Sequence, residues 1–133
     1  DILGNIGRPA KTAVPQLAQA LSDGDFWVRR NAAQALGTIA PQDEEVVAGL
    51  AKNLQDSDER LRRNAAFSLA KIGPGAASAV DGLRQTLADE SRYVRFNTVL
   101  ALKRIATPQA QEALWEELVT SRWCPVTTSA TPY

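Results

Sequence analysis

The sequence predicts an all-α fold, an α-solenoid of about three and a half stacked helical hairpins. Three observations predict it. Val28–Ala40, Leu61–Gly73 and Val94–Ala106 align without a gap at a spacing of 33 residues. A fixed period of this size signals an array of stacked units rather than a closed globule. Within each copy the apolar residues recur at helical spacing, as in Leu61, Ala65, Leu69 and Ile72. Between copies stand Asp, Ser, Gly and Pro, the residues that start and stop helices.

Taken in order, residues 1–8 read as a half-repeat, since Leu3, Gly4 and Ile6 fall one period before Leu36, Gly37 and Ile39. Arg8-Pro9 breaks the helix. Repeats then occupy 9–41, 42–74 and 75–107. In the first, a helix over about 11–22 buries Val14, Leu17, Ala18 and Leu21, with Pro15 tolerated in its first turn. Asp25 caps a second helix, about 26–40, with a core stripe of Val28, Ala32, Ala35, Leu36 and Ile39. In the second, Asp43 caps a helix to about 55, with Val47, Leu50, Ala51 and Leu54 inside. Asp58 then caps the helix that buries Leu61, Ala65, Leu69 and Ile72, and Gly73-Pro74-Gly75 ends it. The third uses Val80, Leu83 and Leu87, then Ser91 as cap, then Val94, Thr98, Leu102 and Ile105. Thr98 and Val99 replace two alanines, so this copy is bulkier, as suits a repeat near the end of an array. Thr107-Pro108 opens a terminal helix, 108–121, with Ala113, Leu114 and Leu118 on one face. Residues 122–133 read as a non-helical tail. One hairpin cannot bury its apolar face alone, so stability must come largely from neighbour contacts.

Composition narrows the chemistry. Fifteen basic and fifteen acidic residues cancel, which gives no global attraction to nucleic acid or an anionic membrane. There is no histidine, the usual general base near neutral pH and the commonest metal ligand. Ser-His-Asp and Cys-His catalysis are excluded within this chain, and the single Cys124 excludes a thiolate-rich zinc site and an internal disulfide. No metal and no cofactor are expected. A lone thiol, no apolar run near ~20 residues and no signal-peptide pattern fit a cytoplasmic protein without membrane insertion. The chain opens at Asp1 inside a repeat and holds no Met, so it reads as a piece of a longer array.

The pattern Leu-x-Asp-x-[Asp/Ser]-x-x-Val-Arg-x-Asn-x-x-x-x-Leu runs over Leu21–Leu36, Leu54–Leu69 (with Leu61 for Val) and Leu87–Leu102. It resembles HEAT repeats, and more narrowly the HEAT-like repeats of the phycobilisome lyase family, over about residues 1–120. The resemblance implies a structural Asp–Arg ladder, with Asp23 beside Arg29, Asp56 beside Arg62 and Asp89 beside Arg95. It also implies a partner-binding concave face formed by the second helix of each hairpin. Carried onto this chain, that face is Arg30, Asn31, Gln34 and Thr38; Arg63, Asn64, Phe67 and Lys71; and Phe96, Asn97, Leu100 and Arg104. Trp27 and Tyr93 stand near the capped ends of their helices.

Each feature has a plainer alternative. Asn is a poor residue inside a helix, so Asn31, Asn64 and Asn97 form an inter-helix or Asn-to-turn hydrogen-bond ladder, a row of amides offered to a bound segment, or both. Phe67 and Phe96 are either core or part of an exposed strip with Arg30, Arg63 and Arg104, residue types enriched at binding hot spots. Such a strip suits a protein surface, an acidic peptide or a planar tetrapyrrole. In the tail, Trp123 and Val126 cap the open end of the stack, or Trp123, Cys124 and Tyr133 dock on a partner. Arg122 would lower the Cys124 pKa, although a lone Cys is more often a small buried residue. The leading expectation is a non-enzymatic protein-binding scaffold or assembly factor. The resemblance implies a photosynthetic setting in a cyanobacterium, with a phycobiliprotein or photosynthetic-complex subunit as partner. A bilin lyase-related subunit is the alternative, and DNA binding, known among HEAT-like proteins, is a third. HEAT-like metal hydroxylases are set aside, because that resemblance needs His-Glu pairs.

Overall fold

The computed structural model describes residues 12–39 and 43–122. In chain order these form α1 (Val14–Ala20), α2 (Phe26–Ile39), α3 (Glu44–Asn53) and α4 (Glu59–Ile72). A 3₁₀ segment (Gly73–Ala79) leads into α5 (Val80–Thr86), followed by α6 (Arg92–Ile105) and α7 (Pro108–Arg122). Among the described residues there is no strand. The helices make two layers: α1, α3 and α5 begin the hairpins, and α2, α4 and α6 return.

The helix starts follow the sequence closely. Asp25 Oδ1 accepts the Trp27 N–H at 2.7 Å. Asp43 accepts from Glu45, Asp58 from Arg60 and the Ser91 hydroxyl from Tyr93. Each satisfies an N–H that the helix itself cannot. The ends are less regular. Gly73 stops α4 at φ +68°, ψ −130°, a conformation closed to residues with a Cβ. Its equivalent one period later, Ala106, stops α6 in the left-handed region at φ 55°, ψ 21°. No side chain crowds Gly73, and an added Cβ would come no closer than 3.8 Å to the Arg104 carbonyl. Gly73→Ala is therefore a pure backbone penalty, expected at about 1–3 kcal/mol. Ala106→Gly should instead raise the urea midpoint by the equivalent of up to about 1 kcal/mol. Opposite shifts of the two midpoints test this.

The second layer is the spine. α4 packs along both α2 and α6, more extensively than any two first-layer helices meet. Small side chains permit that approach. The Ser68 hydroxyl on α4 donates to the Ala33 carbonyl on α2 at 3.1 Å, and a Cβ added at Gly37 would lie 3.2 Å from that of Ser68. Sandwiched in this way, α4 buries Leu61, Ala65, Leu69 and Ile72, and also Ala66, Ser68 and Ala70 on a second face.

Three expectations are corrected. Val28 is exposed, unlike its buried equivalents Leu61 and Val94. Among the described residues no helix precedes the first hairpin to cover Val28. Leu118 on α7 is exposed while Ala113 is buried, because among the described residues α7 buries its early positions, Ala110 and Ala113, against the stack. The helix predicted over 11–22 is regular only from Val14 to Ala20. Residues 1–11 and the tail from Trp123 to Tyr133, including Cys124, lie outside the described residues.

Candidate functional site

The exposed apolar side chains are not scattered. Among the described residues, the large hydrophobics left open to solvent are Trp27 and Val28 on α2, Phe67 on α4, Tyr93 and Phe96 on α6, and Trp115, Leu118 and Val119 on α7. The first-layer helices α1, α3 and α5 expose none. Phe67 is 43% and Phe96 69% accessible, with Trp27 and Tyr93 at 57% and 48%, so these four are surface residues and not core. Leu100 is half-buried.

Helical geometry sets them in rows. Residues i, i+4 and i+8 stand above one another on a helix face. Arg30, Gln34 and Thr38 make such a row on α2; Arg63, Phe67 and Lys71 on α4; and Phe96, Leu100 and Arg104 on α6. Since α4 packs between α2 and α6, the rows lie side by side. Several cations rest on aromatic faces. The Arg30 guanidinium sits 5.4 Å from the Trp27 ring, Arg63 lies 6.0 Å from Tyr93 of the next repeat, and Lys71 Nζ 5.8 Å from Phe67. Arg60 lies 4.5 Å from Phe26 of the preceding repeat, and Arg92 4.8 Å from Tyr93. Arg30, Arg63, Lys71 and Arg104 form no ion pair among the described residues.

The Asp–Arg ladder is present, but out of phase with the pairing read from sequence. Arg62 Nη1 donates to the backbone carbonyls of Asp56 and Ser57 in its own turn, at 2.9 and 3.2 Å. Its carboxylate partner belongs to the next repeat. Nε reaches Asp89 Oδ2 at 2.8 Å, and Nη2 reaches Asp89 Oδ1 and Glu90 Oε1, each at 3.2 Å. Arg29 repeats the arrangement loosely, with its own carbonyls Asp23 and Gly24 and with Asp56 at 3.7 Å. Arg95 donates to the Asp89 and Glu90 carbonyls. The Asp side chains meanwhile accept backbone N–H groups two residues on: Asp23 from Asp25, Asp56 from Asp58 and Asp89 from Ser91. Arg62, and more loosely Arg29, thus ties its own turn and staples it to the following one, while Arg95 ties its own turn.

The titration shifts belong to this ladder and the caps. Burial pushes the Asp89 carboxyl up, yet the hydrogen bonds from Arg62 and the Ser91 N–H and the charges of Arg62 and Arg95 together hold it below the usual value. The hydrogen bonds that Arg62 donates to Asp89 raise its own pKa. A side-chain hydrogen bond from Arg60 lowers Asp58. All three shifts favour the charged form, the signature of ion pairing and not of a proton donor poised near neutral pH.

The recurring asparagines do not make a cross-helix ladder. Asn97 Nδ2 donates to the Tyr93 carbonyl of its own helix at 2.9 Å, Asn64 Nδ2 is buried without a hydrogen-bond partner among the described residues, and Asn31 is exposed. Sequence reasoning missed Arg60 and Arg92, which join the aromatic contacts, and Trp115 and Val119, which the periodicity of α7 placed off its predicted core face. An open cleft of about 390 Å³ lies at the turns of the first two repeats, lined by Asp23, Arg29, Asn53 and Asp56 among others. Asn53 Nδ2 is buried there without a hydrogen-bond partner among the described residues. One period on, Thr86 fills the equivalent position and meets the Thr98 hydroxyl at 2.9 Å. The counterpart of Thr98 is Ala65, which offers Asn53 nothing. Among the described residues no group of His, Cys, Asp and Glu could hold a metal, and no helix is long and apolar enough to cross a membrane.

Comparison with curated proteins finds no match. Among solved structures, the chain is similar to two crystal structures of engineered proteins. One gives a TM-score of 0.64 at 25% identity over 85% of this chain and 53% of the other. The second gives 0.62 at 26% identity over 86% of this chain and 35% of the other. This chain therefore spans about half of the first and about a third of the second. A family model for HEAT repeats matches residues 1–70 and 47–131. With its 33-residue hairpins, its continuous second layer and that match across nearly its whole length, the chain belongs to the HEAT-repeat family.

Proposed function

We propose that this chain is a non-enzymatic protein-binding module that presents the α2–α4–α6 layer to a partner. One observation carries the reading: exposed aromatic side chains and cations without an ion pair among the described residues share that layer, while α1, α3 and α5 expose no large hydrophobic residue and only the terminal helix α7 exposes others. A monomeric surface has no folding reason to keep such a cluster in water. The closer packing of this layer makes it the shorter arc of the stack, which supports reading it as the concave side. Binding there would rest on a preformed surface and need little reorganisation.

The phycobilisome or photosynthetic-complex setting enters this proposal as one identity of the partner, carried by sequence resemblance alone. A lyase-like role on a bilin is less well supported. It needs an acid–base pair, and every shifted group among the described residues is held in its charged form.

The test uses the chain as bait in an extract of its source organism, beside an Arg63→Ala/Phe67→Ala/Phe96→Ala variant checked by circular dichroism. All three residues are exposed, so the variant should fold. A partner held by the parent and lost by the variant is the expected result. Equal capture by both would move the site off this layer and make residues 122–133 the next candidate.

A further inference from the structure

A formal net charge of zero conceals a strong segregation. Helices α2, α4 and α6 together carry ten Lys or Arg and a single carboxylate, Glu59. Glu59 is already engaged, accepting the Ser91 hydroxyl at 2.7 Å. The compensating acids lie in the turns, as with Asp56, Asp58 and Asp89, on the first layer, as with Glu44 and Glu45, and on α7, as with Glu112 and Glu116. The face with exposed aromatics is therefore also the basic face.

Its pattern is ordered. The middle positions of the three rows are Gln34, Phe67 and Leu100, and Phe96 stands one turn from Leu100. Arg30 and Arg63 flank this apolar centre on the turn side, and Lys71 and Arg104 flank it on the other. Eight residues of helix separate Arg63 from Lys71, a rise of ~12 Å. The stacking contacts preserve binding capacity. A guanidinium lying over a ring uses its face and keeps its in-plane N–H donors for a carboxylate. Among the described residues Arg30 and Arg63 make no side-chain hydrogen bond or ion pair that would occupy those donors.

We propose, building on the protein-binding reading above, that the occupant of this face is an acidic, amphipathic segment of a partner protein. Its apolar side chains rest on Phe67, Phe96 and Leu100, and carboxylates on either side pair with Arg30 and Arg63 and with Lys71 and Arg104. Nucleic acid fits less well. A phosphate backbone carries charge at every residue, including over the apolar centre, and where it continues past the basic rows it meets the carboxylates of the turns.

The test is a fluorescence-anisotropy titration with defined probes. The first is a labelled peptide of ~12 residues, long enough when extended to run along the helix direction past both cationic pairs, which lie ~12 Å apart. It has Leu and Phe at its centre and Asp and Glu on both sides. The controls are the same peptide with Asn and Gln for the acids, the same peptide with Lys for the acids, and an oligothymidine. The acidic peptide should bind at least ~10-fold more tightly than its amide form and weaken as salt rises. Arg30→Glu/Arg63→Glu should reverse the preference toward the Lys peptide. Phe67→Ala/Phe96→Ala should weaken the acidic peptide by ~10-fold or more. Arg84→Gln on the first layer should change nothing.

Equal binding of acidic and amide peptides, or tighter binding of oligothymidine, would overturn the proposal. So would an unchanged preference in the double Glu variant. Partner capture that still depends on Arg63, Phe67 and Phe96 would then show that the protein-binding reading survives and only the partner chemistry is wrong. Loss of both results would remove the two together.

Discussion

Replacing Arg62 by alanine should cost the array about 3–5 kcal/mol, the range for breaking a buried charge pair from one side. The Arg62 side chain is 10% and its partner Asp89 9% accessible, so solvent screens this contact little. The substitution strips Asp89 of a two-pronged partner and frees the Asp56 and Ser57 carbonyls that Arg62 also holds. A fall in Tm on the order of 10 °C or more is expected. Arg29→Ala is the internal comparison. Its guanidinium stands 3.7 Å from Asp56, and both side chains are roughly twice as accessible. A loss of about 1 kcal/mol is expected there. Arg62→Lys should fall between, since an ammonium keeps the charge but not the fork.

The difference between parent and Arg62→Ala should also depend on pH. In the parent, the Asp89 pKa lies below its ordinary value of 3.8. A carboxyl lowered on folding stabilises fully above the unfolded pKa, and that contribution is lost as pH falls through the folded value. In the variant, burial remains without the Arg62 hydrogen bonds, so Asp89 should titrate higher than in the parent. Mild acid then relieves the variant while the parent still holds its pair. The gap in unfolding free energy should narrow between about pH 5 and pH 3. A gap that stays constant over this range would mean that the ladder contributes little and that the loss at neutral pH comes from packing of the Arg62 stem.

What was legible in sequence follows from what repeats. The period, the caps at Asp25, Asp43, Asp58 and Ser91, and the stripe Leu61–Ala65–Leu69–Ile72 are local properties of one unit. What failed is relational. Asp56 and Arg62 are six residues apart and read as a pair, yet the carboxylate of each unit serves the guanidinium of the unit before it. Spacing within one copy cannot distinguish the two pairings. The second buried face of α4, with Ala66, Ser68 and Ala70, is equally relational, because it exists only where a helix has a neighbour on both sides. The same logic explains Val28, whose apolar character fits the repeat while its exposure reflects its place in the array. The exposed row was legible as a row. Whether Phe67 and Phe96 belonged to core or surface depended on the rotation of helices about their own axes, which a period of 33 residues leaves open.

That dependence on place predicts the second large effect. Leu36, Leu69 and Leu102 occupy one position in successive units, and none is accessible to solvent. Truncation to alanine removes the same atoms at each, so a transfer argument alone predicts equal losses within the usual ~2–5 kcal/mol. The stack predicts otherwise. Leu69 sits on α4, which is packed between α2 and α6, so a cavity there weakens the interfaces on both sides of the central unit. Leu69→Ala should fall at the upper end of that range. It should also lower the steepness of the urea transition, as the two ends lose the unit that couples them. Leu36→Ala should sit toward the lower end, and its loss should appear first as faster amide exchange in α1 and α2, with α4 still protected. Three equal losses with parallel urea slopes would show that the described array unfolds as one cooperative block, with neighbour coupling stronger than any single cavity can disturb.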